Sequence, residues 1–416
     1  MREAAAGPVA VTGIGIVTSL GRGSDENWRR LSAGDSGIRR LTRFPVEGLR
    51  TTIGGAVDFL DLVRRDVMTL SFEMARLAAD EAIGESGIGT PGKFPGDMFL
   101  AAPPLEIEWP QRFELARRHS ARRYAELMEA IGPGDERLHD GSINGGIAWR
   151  LKQRFGTEGS PITLSTACAS GASAIQLGVE AIRRGASEAA LCIGTDGSLQ
   201  PESLIRFSLL SALSTANDEP EKAAKPFSRN RDGFVMAEGA AALVLEEPAK
   251  ARARGAAILA YVLGCGEAAD TFHRTRSNPN GAATLRCMSD ALADAGLGIG
   301  DVDYINAHGT GTPENDKMEA FSIQRLFGEQ AGRIPISANK SMIGHTLTAA
   351  GAVEAAFSIL TLRHQLLPPT INYHQPDPTI PLDVVPNEAR PAAVRTVLSN
   401  SFGFGGQNVS LVFGAA

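Results

Sequence analysis

The sequence predicts an α/β protein, because strand-like apolar runs alternate along the chain with helix-like stretches. The composition fits a large folded chain: 43% of the 416 residues are hydrophobic and 21% are charged. Glycine is frequent, with 46 residues or about 11% of the chain against a usual ~7%. The apolar fraction excludes a disordered chain, and the lack of a three-residue glycine period excludes collagen. The glycine excess instead indicates many close backbone approaches.

The elements follow from hydrophobic patterning. An apolar run at 9–17 predicts the first strand, and Leu70, Met74, Leu77 and Ala78 have the spacing of an amphipathic helix. The remaining predicted strands are 162–167, 188–194, 240–245, 257–263, 302–307, 334–338 and a closing hairpin of 395–400 with 409–413. The remaining predicted helices are 169–184, 314–327 and 346–362.

A strand, a chemically notable residue and a small-residue helix follow one another near 162–185 and again near 334–362. This rhythm predicts two similar βα halves, residues 1–250 and 251–416, with no Pro/Ser linker between them. The segment near 105–140 differs and predicts a helical surface excursion. Its arginines are Arg112, Arg117, Arg118, Arg122 and Arg123.

Charge and targeting signals exclude several classes of protein. The net charge is −6, which disfavours a duplex nucleic-acid binder. No apolar run approaches the ~20 residues of a membrane span, since the best candidate, 349–362, contains Glu354. The N-terminus lacks a signal-peptide pattern, and the four cysteines form no CxxC pair, so we expect a reduced, cytoplasmic protein with no metal site. A dinucleotide loop after the first strand is disfavoured because Thr18 stands where GxGxxG needs its third glycine.

Cys168 is a candidate nucleophile. It lies between an apolar strand and a small-residue helix, and a helix N-terminus is expected to lower the pKa of a thiol. The alternative is a buried small hydrophobe, an interpretation that suits Cys192, Cys265 and Cys287.

Two histidines and a lysine are candidate partners for Cys168. His308 directly follows a predicted strand, and His345 lies in a loop between a strand and a helix. Catalytic groups in α/β folds gather at the carboxyl ends of strands. Lys340 adds a cation to the loop that contains His345. The alternatives are structural histidines and a solvated surface lysine.

These residues lie in motifs that closely resemble the β-ketoacyl-acyl carrier protein synthases, condensing enzymes with a thiolase-like fold, and synthase II in particular. The matching segments are TACAS at 166–170, HGTGTPENDKME at 308–319, NKSMIGHTLTAAGAVE at 339–354 and SNSFGFGGQN at 399–408. The resemblance extends over essentially the whole chain and implies a layered α-β-α-β-α arrangement.

The resemblance implies that Cys168 takes an acyl chain from acyl carrier protein and condenses it with malonyl-acyl carrier protein, which loses CO2. His308 and His345 would donate N–H bonds to the thioester oxygen of the malonyl unit. No separate cofactor is implied, because the phosphopantetheine arm arrives on the carrier protein. The implied oligomer is a homodimer.

The resemblance also implies supporting roles. The backbone N–H groups of Cys168 and Phe404 would hold the oxyanion of acyl transfer, and the Phe404 side chain would be a gate between the half-reactions. Further implied roles are a network that orients the histidines (Lys340, Glu319 and, more weakly, Asp316) and pantetheine binding (Thr310, Thr312).

One segment departs from the family pattern. Where relatives carry glycines after the strand near residue 100, this chain has Pro103 and Pro104, which remove N–H donors and fix φ. The family uses this region to line the acyl pocket, so chain length is not predicted, and a specialised enzyme for very long, unusual or polyketide-type chains stays an alternative to fatty-acid elongation. Two further alternatives are a degradative thiolase, which needs a second late cysteine, and a non-catalytic partner subunit, which loses the nucleophile.

Overall fold

The computed structural model describes residues 7–63, 65–119, 126 and 143–416 and shows a mixed α/β architecture. Its main sheet contains ten strands of three or more residues: β1 Val9–Thr18, β2 Asp97–Ala101, β3 Ile162–Leu164, β4 Ala189–Asp196, β5 Gly239–Glu246, β6 Ala260–Ala269, β7 Tyr304–Asn306, β8 Pro335–Ser337, β9 Thr396–Phe402 and β10 Gln407–Ala415. Two-residue strands at Gly21–Arg22 and Asp383–Val384 extend it. Two separate pairs are Arg39–Arg40 with Ile53–Gly54, and Leu366–Leu367 with Arg390–Pro391.

The helices alternate with these strands as the sequence predicts. They are α1 Ser24–Ser32, α2 Val67–Ser86, α3 Trp109–His119, α4 Gly146–Phe155, α5 Ser170–Arg183, α6 Pro201–Leu209, α7 Pro248–Ala253, α8 Ala282–Asp294, α9 Pro313–Phe327, α10 Lys340–Ile343 and α11 Ala350–His364. Short 3₁₀ turns at Ala167–Ala169 and Leu347–Ala349 directly precede α5 and α11.

The sheet repeats one topology twice. In the first half the strand order is β3-β2-β4-β5-β1, and in the second it is β8-β7-β9-β10-β6. In each half the first three strands are parallel and the last two pair antiparallel. The halves join where Val9–Val11 of β1 pairs with β6. The two predicted similar halves are therefore confirmed, whereas the boundary at 250/251 stays a prediction.

The helices form layers around the two half-sheets. On one outer side α2 packs on β1 and β5, and on the other α8 packs on β6 and β10. Between the halves, α5 packs on β2 and β4 while α11 contacts α5, β5 and β9. Every residue of α11 from Ala350 to Leu362 is buried, which explains why its sequence is almost wholly apolar or small.

The two central helices touch at their first turns. A Cβ on Gly171 would lie 2.5 Å from the Ala352 nitrogen, and a Cβ on Gly351 would lie 2.5 Å from the Ala172 nitrogen. Only glycine permits so close an approach from both sides. The turns that lead into these helices also match, since Ala167 and Leu347 have φ values of 49° and 48°.

Some predicted bounds differ from the structure. The strand predicted at 162–167 ends at Leu164, because the chain turns there into the 3₁₀ segment that contains Cys168. Of the predicted excursion near 105–140, α3 is helical, and residues 120–125 and 127–140, with Arg122 and Arg123, lie outside the described residues. Within the described ranges, no helix is both long and apolar enough to cross a membrane.

The helix contact generates a stability prediction. We expect Gly351→Ala to lower the free energy of unfolding by about 1–3 kcal/mol, because the new methyl group meets backbone and forces the central helices apart. The control is Gly84→Ala in α2, where a Cβ meets nothing within 4 Å. Urea unfolding followed by circular dichroism measures both variants; equal stability of Gly351→Ala and the unsubstituted protein would contradict the prediction.

Candidate active site

Cys168 lies in the turn between β3 and α5. Ser170 fixes this turn: its hydroxyl donates to the Ala167 carbonyl at 2.6 Å and accepts from the Thr166 N–H at 2.7 Å. The thiol is buried, and the backbone N–H of Phe404 faces it and acts to lower its pKa. Gly403 permits this approach, since a Cβ there would lie 3.0 Å from the Thr166 carbonyl oxygen.

The structure brings both predicted histidines to this thiol. His308 follows β7 and His345 follows α10, so both come from the second half of the chain. Cys168 Sγ and one ring nitrogen of each histidine lie within 4.8 Å of one another. The two imidazole rings meet edge to face, with centroids 5.4 Å apart.

Hydrogen bonds at Nδ1 assign the tautomer of each histidine. The Leu347 N–H donates to His345 Nδ1 at 3.2 Å, and the Lys340 ammonium lies 3.3 Å from His308 Nδ1. Because an ammonium and a backbone N–H can only donate, Nδ1 is the acceptor in both rings and the ring proton is on Nε2. Both imidazoles can therefore donate an Nε2–H bond to a substrate oxygen.

The electrostatics keep both histidines neutral. Burial lowers the pKa of His308 and of His345 well below the usual 6.5, and the positive charge of Lys340 lowers both further. At neutral pH each ring is therefore a neutral hydrogen-bond donor and not a protonated imidazolium.

The expectation that Cys168 has a low pKa is wrong. Burial raises the pKa of Cys168 to about 11, although the Phe404 N–H and the Lys340 charge act in the opposite direction. The cost of desolvating the thiolate is larger than the stabilisation that the N-terminus of α5 gives it, so the pKa rises. The thiol is thus protonated at neutral pH and loses its proton only as it reacts.

Lys340 is buried, with 2% of its side chain exposed, so it is not the solvated surface lysine of the alternative interpretation. Its ammonium donates to the His308 carbonyl at 2.6 Å and forms an ion pair with Glu354. Burial raises the pKa of Glu354 to about 7, while Lys340 opposes the rise. Sequence reasoning noted Glu354 only as an interruption of an apolar run; a charge inside such a run was the available signal.

The two other predicted acids support the backbone of the His308 loop. Glu319 accepts the N–H groups of His308 at 2.9 Å and Gly309 at 2.8 Å, and it accepts from Asn400, which sequence reasoning missed. Asp316 accepts from the Gly311 N–H at 3.1 Å and from the Phe227 N–H at 2.8 Å. Among the described residues, neither acid bonds to an imidazole ring.

Two cavities meet at Cys168. The narrow cavity, of about 60 Å³, is lined by both histidines and by Thr310 and Thr312, and loop 273–277 forms part of its wall. The wide cavity, of about 330 Å³, extends to Pro103 and Pro104. Cys168, Phe207 and Phe404 line both cavities, so the Phe404 side chain lies at their boundary.

A thiol and two imidazoles are possible zinc ligands, and their donor atoms are close enough for one ion. The surroundings do not suit a cation. The Lys340 ammonium is next to His308, and a metal would need the thiolate that burial disfavours. The arrangement instead suits a nucleophile that faces two neutral N–H donors.

The comparisons with known proteins agree with this geometry. The family models "Beta-ketoacyl synthase, N-terminal domain" and "Beta-ketoacyl synthase, C-terminal domain" match residues 6–84 with 118–251 and residues 259–374. The 3-oxoacyl-[acyl-carrier-protein] synthase 2 of Coxiella burnetii is 38% identical over 97% of both chains. A putative polyketide beta-ketoacyl synthase 1 of Streptomyces cyaneus is also 38% identical, over 98% of both.

Solved structures give the same result. One match is a chain from a solved complex of a type II polyketide synthase acyl-carrier protein with its ketosynthase bound to the hexaketide. Its TM-score is 0.88 and its identity is 32%, over 98% of this chain and 99% of that one. The ishigamide ketosynthase/chain length factor matches with a TM-score of 0.86 and 33% identity, over 99% of this chain and 100% of that one. The expected thiolase-like fold is confirmed. The chain therefore belongs to the β-ketoacyl synthase family and is an acyl-transferring condensing enzyme.

Proposed function

We propose that Cys168 is the nucleophile of this condensing enzyme and that His308 and His345 are its catalytic hydrogen-bond donors. The observation that supports this assignment is the convergence of the three side chains where the two cavities meet. The predicted roles of Lys340, Glu319 and Phe404 rest on their contacts with this group.

In acyl transfer, Cys168 Sγ attacks the carbonyl carbon of an acyl thioester on the pantetheine arm. The carbon–sulfur bond to pantetheine breaks, and the thiol proton ends on the departing pantetheine sulfur. The N–H groups of Cys168 and Phe404 stabilise the oxyanion that forms in between. Exchange of one thioester for another keeps the acyl group activated.

In condensation, a malonyl thioester enters through the narrow cavity and loses CO2. The two Nε2–H groups stabilise the enolate oxygen as charge develops on it, which neutral imidazoles do without a change of protonation. The enolate carbon attacks the acyl carbon on Cys168, a carbon–carbon bond forms, and Sγ leaves and regains a proton. The product is longer by two carbons.

Thr310 and Thr312 line the narrow cavity and hydrogen-bond each other at 2.9 Å, which places two hydroxyls along the path of a pantetheine arm. An acyl carrier protein is therefore the proposed partner. The complex of a carrier protein with a matching ketosynthase supports it. The cytoplasmic location expected from the free cysteines stays a prediction.

A homodimer is proposed from the edge of the sheet. Among the described residues β3 pairs on one side only, with β2, and Ile162 is 47% exposed. The Leu164 carbonyl accepts from Ala102 on the β2 side, so the N–H and C=O of Thr163 point outward, because these groups alternate along a strand. An open edge of this kind suits antiparallel pairing with a second copy.

The nucleophile assignment predicts that Cys168→Ala lowers condensation by at least on the order of 10³-fold. The matched control is Cys287→Ala, which removes a buried thiol that lines neither cavity and should retain activity. Condensation with malonyl-carrier protein and intact-protein mass spectrometry measure both. A thiolase would instead turn over acyl-CoA with free CoA, and a non-catalytic subunit would leave Cys168 unmodified.

The electrostatics predict a pH effect. Because burial and Lys340 hold both histidine pKa values below 6.5, the neutral donors persist in mildly acidic solution, and activity falls only as the pH drops through those lowered values. Lys340→Met removes one cause of the lowering, so the acid limb should move to higher pH. The measurement is single-turnover condensation against pH. Glu354→Gln retains the lysine and should keep the acid limb at low pH. Superimposable acid limbs for the unsubstituted protein and Lys340→Met would contradict the role of Lys340 in lowering the histidine pKa values.

The edge-strand interface predicts that Thr163→Pro converts a dimer into a monomer, because proline removes the outward N–H. Light scattering after size-exclusion chromatography gives the mass. Thr163→Val keeps the donor and should remain dimeric. A single-chain mass for the unsubstituted protein would overturn the proposed homodimer.

A further inference from the structure

The wide cavity beside Cys168 has an ion pair in its wall. Arg206 on α6 binds Glu106 through two parallel bonds, Nη1 to Oε1 at 2.6 Å and Nη2 to Oε2 at 2.7 Å. Arg112 adds a third bond to Glu106 at 3.3 Å. Two-point arginine–carboxylate pairs have a defined geometry, so this pair is a specific structural feature of the wall.

The pair lies on a more solvent-exposed part of the cavity wall than Cys168 does. Cys168 is buried, whereas the side chains of Glu106 and Arg206 are 41% and 55% exposed. An acyl chain on Sγ that extends through this cavity toward solvent would pass these side chains. Pro103 and Pro104 line the same cavity.

Hydrogen bonds fix the loop that carries Glu106 at Glu108 and Trp109. The Trp109 N–H donates to Glu202 at 2.8 Å, and the Val67 N–H donates to Glu108 at 2.6 Å. Together with the Glu106–Arg206 pair, these bonds hold the loop against α6 and α2. The two prolines restrict its backbone further. This part of the cavity wall is therefore held in a defined position.

Further polar groups line the cavity without protein partners. In the described part of the chain, no hydrogen bond is made by the side chains of Ser165, Gln200 and Ser203, which all face the cavity. A saturated chain against these groups would displace water and return no hydrogen bond, which costs free energy. A chain that carries oxygen atoms can return those bonds.

We propose that the polar wall formed by Glu106, Arg206, Gln200 and Ser203 selects acyl chains with keto or hydroxyl groups remote from the thioester over saturated chains of equal length. The substrate class is an oxygenated, polyketide-type acyl chain. The inference rests on the proposed function, since it requires Cys168 to receive the chain.

The test compares transfer onto Cys168 from the pantetheine thioesters of octanoate and 7-oxooctanoate, which differ by one remote oxygen. Intact-protein mass spectrometry measures the two rates. The unsubstituted protein should load the oxo chain at least about tenfold faster. The double variant Glu106→Leu/Arg206→Met removes both members of the two-point pair, while Arg112 keeps its bond to the Ile107 carbonyl. It should reduce this preference at least about fivefold by accelerating octanoate.

The control is Asp383→Leu/Arg390→Met, which removes a two-point pair of similar exposure, with bonds of 3.1 and 2.9 Å, that lines neither cavity. It should leave the preference unchanged. Acetyl pantetheine has no chain beyond its methyl group to meet the wall and should load all three proteins equally. Failure of all three thioesters to load Cys168 in the unsubstituted protein overturns the proposed function. Equal rates for the two eight-carbon chains, or an unchanged preference in the Glu106/Arg206 variant, overturn only the selection.

Discussion

The contact between the first turns of the two central helices is the constraint on which the site depends. Cys168, the proposed nucleophile, comes from the first half of the chain and both histidines come from the second, so they meet where α5 and α11 meet. Gly171 and Gly351 let each helix approach the backbone of the other, and no larger residue fits at either place. Part of the glycine excess in the composition is thus a packing requirement of the active site.

A single buried cation organises the protonation states of this site. Lys340 lowers the pKa of His308 and His345, opposes the raised pKa of Cys168 and opposes that of Glu354. A lone charge at such depth would be too costly, and Glu354 with the His308 carbonyl offsets that cost. The result is a protonated thiol opposite two neutral N–H donors. Such a site works by placing dipoles where charge develops and needs no permanently ionised nucleophile.

Sequence reasoning found what local patterns encode. The order of strands and helices, and the positions of Cys168, His308 and His345 near strand ends, follow from hydrophobic periods and short motifs. The pKa of Cys168 could not be predicted, because desolvation depends on what packs over the thiol from distant segments. Asn400 was missed for a related reason: it reaches Glu319 across 81 positions of sequence. The wall pair joins Glu106 to Arg206, 100 positions apart, so the sequence revealed only that the glycines of that loop were replaced.

In the proposed mechanism the two cavities recognise different parts of the substrates. In this mechanism both thioester substrates arrive on the same kind of arm and both use the narrow cavity with its histidines and threonines. The groups there must suit that arm and the enolate. The wide cavity, in the same proposal, selects and then holds the acyl chain on Cys168. Because Phe404 lies at the boundary, residues of the wide cavity can change without disturbing the donors of the narrow one. A chain can therefore keep the motif residues of its family and still place two prolines and an ion pair in the wall of its wide cavity.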